Sequence, residues 1–540
     1  MRNERAHTGS RANPDASPDA SDARAAWSAA CAAIARRDWP CAERALVELL
    51  AREPRWVPAH LSLAAVLLAT GRLRQAAQRT RRAAAVLDRD AAQTWKVATA
   101  LIRLGETNAA RACLQRPEIA ACRDASLLLA VAHAHQGLGE HAQALALMER
   151  AHALGLDGAD FRYFHALQLQ FNGRLDDAAA QLQACVRMGP SYGRAWLSLA
   201  RLRRRSLPHD EDDFLATLRA RLPETAPDTE DRASLEFALY EEYERRGEQA
   251  QAWAALVRAN AAMRARLPYD ATAEERLFSR LKARFPNDAP ASTSIARAAG
   301  PQPIFVVGMP RSGTTLLETI LGRHSDIAAA GELPDLPRQL RWTADRHGHA
   351  LLDEPLLEAT PALDFAAFGE RYREQTAWRA GSRRFYIDKL PPNFMLLAHI
   401  RRALPAAKVL HLVREPLALC FSNFRAMFGD AYGYSYALDS LAHHHRLYAD
   451  LMAHWQATMP GFVHDVSYEA LVREPEATCR ALFAYLDLPY DDACLDASRG
   501  SGAVATLSSA QVREPVHRRG LDDWRRYAAQ LEPLRTGLGP

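Results

Sequence analysis

The sequence predicts two folds in tandem: an all-α repeat solenoid, followed by a P-loop-like α/β domain built on a parallel central sheet. Three observations carry this. Glycines recur at a fixed interval of 34 residues, at Gly71, Gly105, Gly139 and Gly173. Beyond residue 303, short apolar runs alternate with helical patterns. The first of those runs opens into "GMPRSGTT", a glycine-bracketed loop that leads directly into a helix. A length of 540 residues accommodates two or three domains. Hydrophobic content of 48% and charged content of 24% are those of an ordinary globular chain.

In chain order, residues 1–24 are polar and rich in Pro, Asp, Ser and Ala, without an apolar core, and read as a disordered segment rather than a secretion signal. Residues 25–206 hold the repeats. A long apolar or aromatic helix precedes each glycine, as in "QTWKVATALIRLG", and an Ala-rich helix follows it. One interval before Gly71 the same turn position holds Arg37. This pattern resembles the tetratricopeptide repeat (TPR), in which helix pairs that cannot bury their apolar faces alone stack into a solenoid with a concave groove. The register slips beyond "HDEDDF", and residues 207–284 read as further helical hairpins that cap the array, with one more helix–Gly–helix at Gly247. A Pro/Ser/Ala linker, 285–302, leads to the α/β part, 303–540.

There, "IFVVG", "RFYID", "KVLHLV" and "GFVHDVSY" each precede a helical pattern, which implies parallel strands covered on both faces. The loop Gly308–Thr315 follows the first strand, where α/β sheets bind ligands, and the backbone N–H groups of Ser312, Gly313, Thr314 and Thr315 suit an anion. It lacks the lysine of the nucleoside-triphosphatase loop, whose place Thr314 takes, and carries Arg311 instead. "PRSGTT" followed by "VLHLVREPLALCFSNF" resembles the sulfotransferases that use 3′-phosphoadenosine-5′-phosphosulfate (PAPS), and most closely the tyrosylprotein-sulfotransferase-like branch that includes bacterial proteins with TPR arrays.

The resemblance implies roles position by position. Arg311, Ser312, Gly313, Thr314 and Thr315 match the segment that binds the 5′-phosphosulfate. Arg414 and Ser422 match the pair that holds the 3′-phosphate, and Tyr468 matches the tyrosine beside the adenine. Glu332 in "AAAGELPDL" matches the acceptor-activating base, and Lys389 in "YIDKLPPNF" the cation that meets charge on the leaving phosphate. "LSSAQVREPV" resembles the segment that folds over the donor. Ser508 fits it, but the family lysine falls on Glu514, so Arg513 or the "HRRG" of 517–520 takes that place.

Other signals are plain. The net charge of +4 gives no case for nucleic acid or an anionic membrane, and no apolar run is long enough to span one. Eight cysteines without paired spacing fit a reducing cytoplasm. "HHH" at 443–445 is not a metal site, because consecutive helical residues point about 100° apart. Trp524–Tyr527 reads as a docking helix. The expectation is therefore a cytoplasmic PAPS-dependent sulfotransferase that needs no metal, because arginine, lysine and backbone dipoles supply the positive charge. The branch and the solenoid favour an acceptor protein or peptide, docked in the TPR groove and modified on tyrosine. A glycan, lipid or small-molecule hydroxyl, an inactive nucleotide-binding scaffold, and an ATP-dependent enzyme are the rivals.

Overall fold

The computed structural model describes residues 19–206, 213–287, 300–496, 502–506 and 518–539. The chain forms two compact units, Met1–Ala120 with Asp345–His347, and Ala121–Ala344 with Gly348–Pro540. The first unit holds the helix pairs Asp19–Ala35/Trp39–Arg52, Val57–Ala69/Leu73–Ala85 and Ala91–Arg103/Thr107–Leu114. The second opens on two further pairs of this kind, Ala125–Gly137/His141–Ala153 and Ala159–Phe171/Leu175–Met188.

The 34-residue register is a backbone device. Gly71, Gly105, Gly139 and Gly173 all adopt left-handed φ angles between 75° and 84°, and Arg37 takes the same region at 59° despite its side chain. The next residue then donates its N–H back across the helix end: Arg72 to Leu67, Glu106 to Leu101, Glu140 to His135, Arg174 to Leu169 and Asp38 to Ala33, all at 2.8–2.9 Å. This closure satisfies carbonyls that the helix end leaves open. Five residues beyond each turn, Ala42, Ala76, Ala110, Ala144 and Ala178 are fully buried, so each hairpin closes on a methyl group. The repeat region is TPR-like. Its first helix starts at Asp19, inside the segment expected to be disordered to residue 24, because "DARAA" is strongly helix-forming and continues the first repeat upstream.

The helices Glu230–Arg246 and Gln249–Arg266 turn at Gly247, as the sequence suggests, and Ala271–Arg284 follows them. They do more than extend the repeats. Trp253 lies 5.8 Å from Phe424 and 5.5 Å from Tyr527, Phe278 is 6.3 Å from Phe394, and Phe285 is 6.1 Å from Trp455. Asn260 donates to the Phe424 carbonyl at 3.0 Å. These side chains belong to one apolar core that runs from the helical hairpins under the sheet.

The sheet has five parallel strands in the order β2-β3-β1-β4-β5. They are β1 (Gln302–Val307), β2 (Ile327–Ala329), β3 (Phe385–Asp388), β4 (Lys408–Val413) and β5 (Val463–Ser467). The apolar run in β1 is continuous because both faces are covered. Ile304 and Val306 pack with Leu317, Ile320 and Phe483, while Phe305 and Val307 join the opposite core. After β1 the chain crosses to β2 and β3 on one side, and β4 and β5 lie on the other. The carboxyl end of β1 is thus the switch point of the sheet, where ligands of such sheets bind. Among the described residues no helix is long and apolar enough to cross a membrane.

Candidate functional site

The loop after β1 is held open by its backbone. Gly308 has φ 146° and donates its N–H to the Pro391 carbonyl at 3.1 Å. Arg311 sits at φ 68° and Gly313 at φ 112°, and Gly313 caps the helix Thr314–Gly322 without any side-chain hydrogen bond. The first N–H groups of that helix are therefore left for a ligand, and its dipole adds positive potential. One of the four N–H groups expected to face the ligand does not: Ser312 N–H turns inward to the Met309 carbonyl at 3.3 Å. Its hydroxyl is fully buried and has no hydrogen-bond partner among the described residues. A buried hydroxyl in that condition fits an acceptor supplied by an anion.

Arg414 follows β4 and is 8% exposed. Its guanidinium donates to two carbonyls, Arg311 at 2.8 Å and Gly520 at 2.5 Å, and lies 4.5 Å above the Tyr468 ring. Its Nε is buried without a partner, and no carboxylate among the described residues pairs with it. Burial pulls its pKa below the usual arginine value, with the Tyr468 phenol opposing. A buried cation whose hydrogen bonds among the described residues go to carbonyls, with the Glu469 and Asp523 charges acting on it only from beyond ion-pair distance, is costly, and an incoming anion relieves that cost. The Tyr468 ring lies close against the loop glycine, where a Cβ on Gly313 would stand 2.5 Å from a ring carbon.

Ser422 is buried on the helix Pro416–Phe424, two turns past Arg414. Its neighbour Asn423, which sequence reasoning passed over, donates to the Pro310 carbonyl at 2.8 Å and ties this helix to the loop. Arg311, Gly313, Arg414 and Tyr468 thus form one contiguous group. Ser508 and Arg513 lie outside the described residues. Gly520, the last residue of the "HRRG" stretch, is the one whose carbonyl meets Arg414.

A second group lies at the ends of β2 and β3. Lys389 is fully buried, and its Nζ donates to Glu332 Oε1 at 2.7 Å. Glu332 is the exposed member, at 42%. A third member escaped the sequence reading. Glu318 stands one turn beyond Thr314 on the loop's helix, is almost fully buried, and places Oε2 3.7 Å from Lys389 Nζ. Its Oε1 accepts the Gly331 N–H at 2.7 Å, and Lys389 N–H donates to the Gly331 carbonyl at 3.0 Å. The signal was available: Glu318 interrupts the apolar stripe of "TTLLETILG", and a carboxylate on a buried face needs a cation. Burial raises the Glu318 carboxyl above its usual value, opposed by Lys389. Burial also works against the Lys389 charge, but Glu332 and Glu318 more than offset it and hold the ammonium above the ordinary lysine value.

Beneath Lys389, Asp388 is fully buried, and burial pushes its carboxyl up to about 8. It accepts the Tyr372 hydroxyl at 2.7 Å. The segment Ala503–Thr506 closes over a small cavity shared with Glu318, Thr319 and Gly331, and Thr315 reaches Thr506 at 3.4 Å.

Residues 303–492 match the profile of the sulfotransferase family. The chain is 30% identical over 331 residues to an uncharacterized protein of Aquifex aeolicus, across 60% of this chain and 43% of that one. It therefore spans less than half the length of that relative. It is 27% identical over 261 residues to protein-tyrosine sulfotransferase 1 of Danio rerio, across 44% of this chain and 71% of that one. Among solved structures it is similar to the sulfotransferase domain of a Synechococcus olefin synthase, at 24% identity and a TM-score of 0.30, covering 42% of this chain and 89% of that one. It is also similar to a tetratricopeptide repeat protein from Parabacteroides merdae, at 15% identity and a TM-score of 0.33, covering 45% and 93%.

Proposed function

We propose, on the premise that residues 303–492 form a domain of the sulfotransferase family, that this chain transfers a sulfuryl group from PAPS to an acceptor hydroxyl, most plainly a protein tyrosine. The observation that carries the reading is Arg414, a buried guanidinium with an unpartnered Nε and no carboxylate among the described residues, placed beside a phosphate-type loop. In this reading Arg414 and Ser422 take the 3′-phosphate, which is what separates PAPS from ATP. Arg311 and the N–H groups of Gly313, Thr314 and Thr315 take the 5′-phosphosulfate, and Tyr468 packs against the base.

Bound PAPS supplies an activated S–O bond. Glu332, the exposed carboxylate of its group, takes the proton of the acceptor hydroxyl as the oxygen bonds to sulfur. The S–O bond to phosphate breaks, its electron pair leaves with the 3′,5′-bisphosphate, and Lys389 and Arg311 meet the charge that appears there. Likeness to the Danio rerio protein-tyrosine sulfotransferase supports a tyrosine acceptor. The TPR-like helices suit recognition of an extended peptide.

The deciding experiment is transfer of radiolabelled sulfate from PAPS into a cell lysate by the full chain, with Glu332→Ala as the blank. Label recovered as tyrosine sulfate in discrete protein bands establishes the reading. Label confined to glycan or small molecules keeps the chemistry and moves the acceptor. No transfer above the blank, together with bisphosphate binding, leaves a nucleotide-binding scaffold.

A further inference from the structure

The pairing of Lys389 with Glu332 poses a chemical problem. A base must give up its cation to accept a proton, and once protonated it no longer neutralises that cation. Lys389 is fully buried, and a buried ammonium whose single carboxylate has been neutralised would be strongly destabilised. The structure contains the answer on the neighbouring helix.

We infer that Glu318 is a positioning residue for the reaction: it holds Lys389 as an ion pair while Glu332 turns to the acceptor, and it fixes the turn that carries Glu332. This rests on the sulfuryl-transfer reading of the same site. Glu318 Oε2 lies 3.7 Å from Lys389 Nζ, so a small shift of the ammonium exchanges one carboxylate for the other. Glu318 Oε1 accepts the Gly331 N–H at 2.7 Å, one residue before Glu332. Before proton transfer the trio holds two carboxylates and one ammonium. Afterwards Glu332 is neutral and the Glu318–Lys389 pair remains balanced.

The other ionisable groups nearby are engaged elsewhere. Asp388 is taken by the Tyr372 hydroxyl at 2.7 Å and the Asn393 amide at 3.4 Å. Asp335 pairs with Arg379 at 3.2 Å. Tyr432, whose phenol is affected by the Glu332 charge, is neutral because burial raises it. Among these groups, Glu318 is the anion close enough to take over the lysine.

The test compares Glu318→Gln and Glu318→Asp with wild type in the full chain. The glutamine keeps an acceptor for the Gly331 N–H and removes only the charge. It should lower kcat about tenfold or more, with affinity for the 3′,5′-bisphosphate changed less than about threefold. Loss of one of its two carboxylates lowers the Lys389 pKa, so the alkaline limb of the kcat profile moves to lower pH. The aspartate keeps the charge and should restore the wild-type limb. The chain has only four lysines, Lys96, Lys282, Lys389 and Lys408, so Nζ resonances of lysine-labelled protein report the Lys389 titration without any turnover. A wild type that turns over no donor sinks the enzymatic reading, while the Lys389 titration still decides whether Glu318 holds it. An unchanged titration and kcat in Glu318→Gln overturn the inference, as does an aspartate variant as impaired as the glutamine.

Discussion

Arg414 concentrates the electrostatic argument in one side chain. It donates to two carbonyls, keeps a buried Nε in reserve and meets no carboxylate among the described residues. Hydrogen bonds to charged groups contribute about 1.5–3 kcal/mol. Arg414→Ala should therefore weaken 3′,5′-bisphosphate binding about ten- to a hundredfold, measured by calorimetry, while binding of the 5′-monophosphate changes little. Equal losses for both nucleotides would move the 3′-phosphate site elsewhere. Asp388 makes a prediction about pH. Burial raises it to about 8, and an unfolded aspartate titrates near 3.9. Between those values the folded chain binds a proton that the unfolded chain has released, so this group's contribution to stability falls as pH rises from about 4 to about 8 and then levels. Asparagine resembles the neutral acid, so Asp388→Asn should flatten that dependence and melt above wild type at pH 8. Parallel melting curves for the two proteins from pH 5 to 8 would show that the carboxyl is ionised in the fold.

At the scale of elements, legibility follows from whether a residue's constraint is local. The repeat turns could be read because a left-handed backbone selects glycine, and the one exception, Arg37, was still found by counting residues. β1 could be read because a strand covered on both faces is apolar throughout. The loop N-terminal to Thr314–Gly322 could be read from its glycines and threonines, and Lys389 and Glu332 do meet, at 2.7 Å, although 57 residues separate them. Glu318 and Asn423 were missed because their partners, Lys389 and Pro310, are remote in sequence and arrive only when the sheet assembles. Ser312 was misjudged in part for a different reason. Whether a loop N–H points to a ligand or to the carbonyl three residues back depends on the backbone angles of the two intervening residues, here Pro310 and Arg311, and the residue identities alone do not set them.

For the whole molecule, the helices between the repeats and β1 matter most. By sequence they read as hairpins capping the array, with a linker marking the start of the α/β part. Yet Trp253, Phe278 and Phe285 supply apolar surface to Phe424, Tyr527, Phe394 and Trp455, all of which belong to the α/β part. Tyr527 also donates its buried hydroxyl to Glu244, and Arg526 pairs with the same carboxylate at 2.8 Å. A fragment starting at residue 300 would retain the whole family match and still expose one wall of its core, together with the helix that carries Phe424 next to Asn423 and the loop. Truncating a single large core aromatic costs about 3–5 kcal/mol, and this cut removes the partners of several at once. The fragment 300–540 should therefore aggregate or unfold without a cooperative transition, whereas 225–540, which keeps the three helices, should melt cooperatively and bind the bisphosphate. Calorimetry and bisphosphate titration of the two fragments decide the point. A well-folded 300–540 that binds like the full chain would make the hairpins an appendage of the repeats rather than a wall of the α/β core.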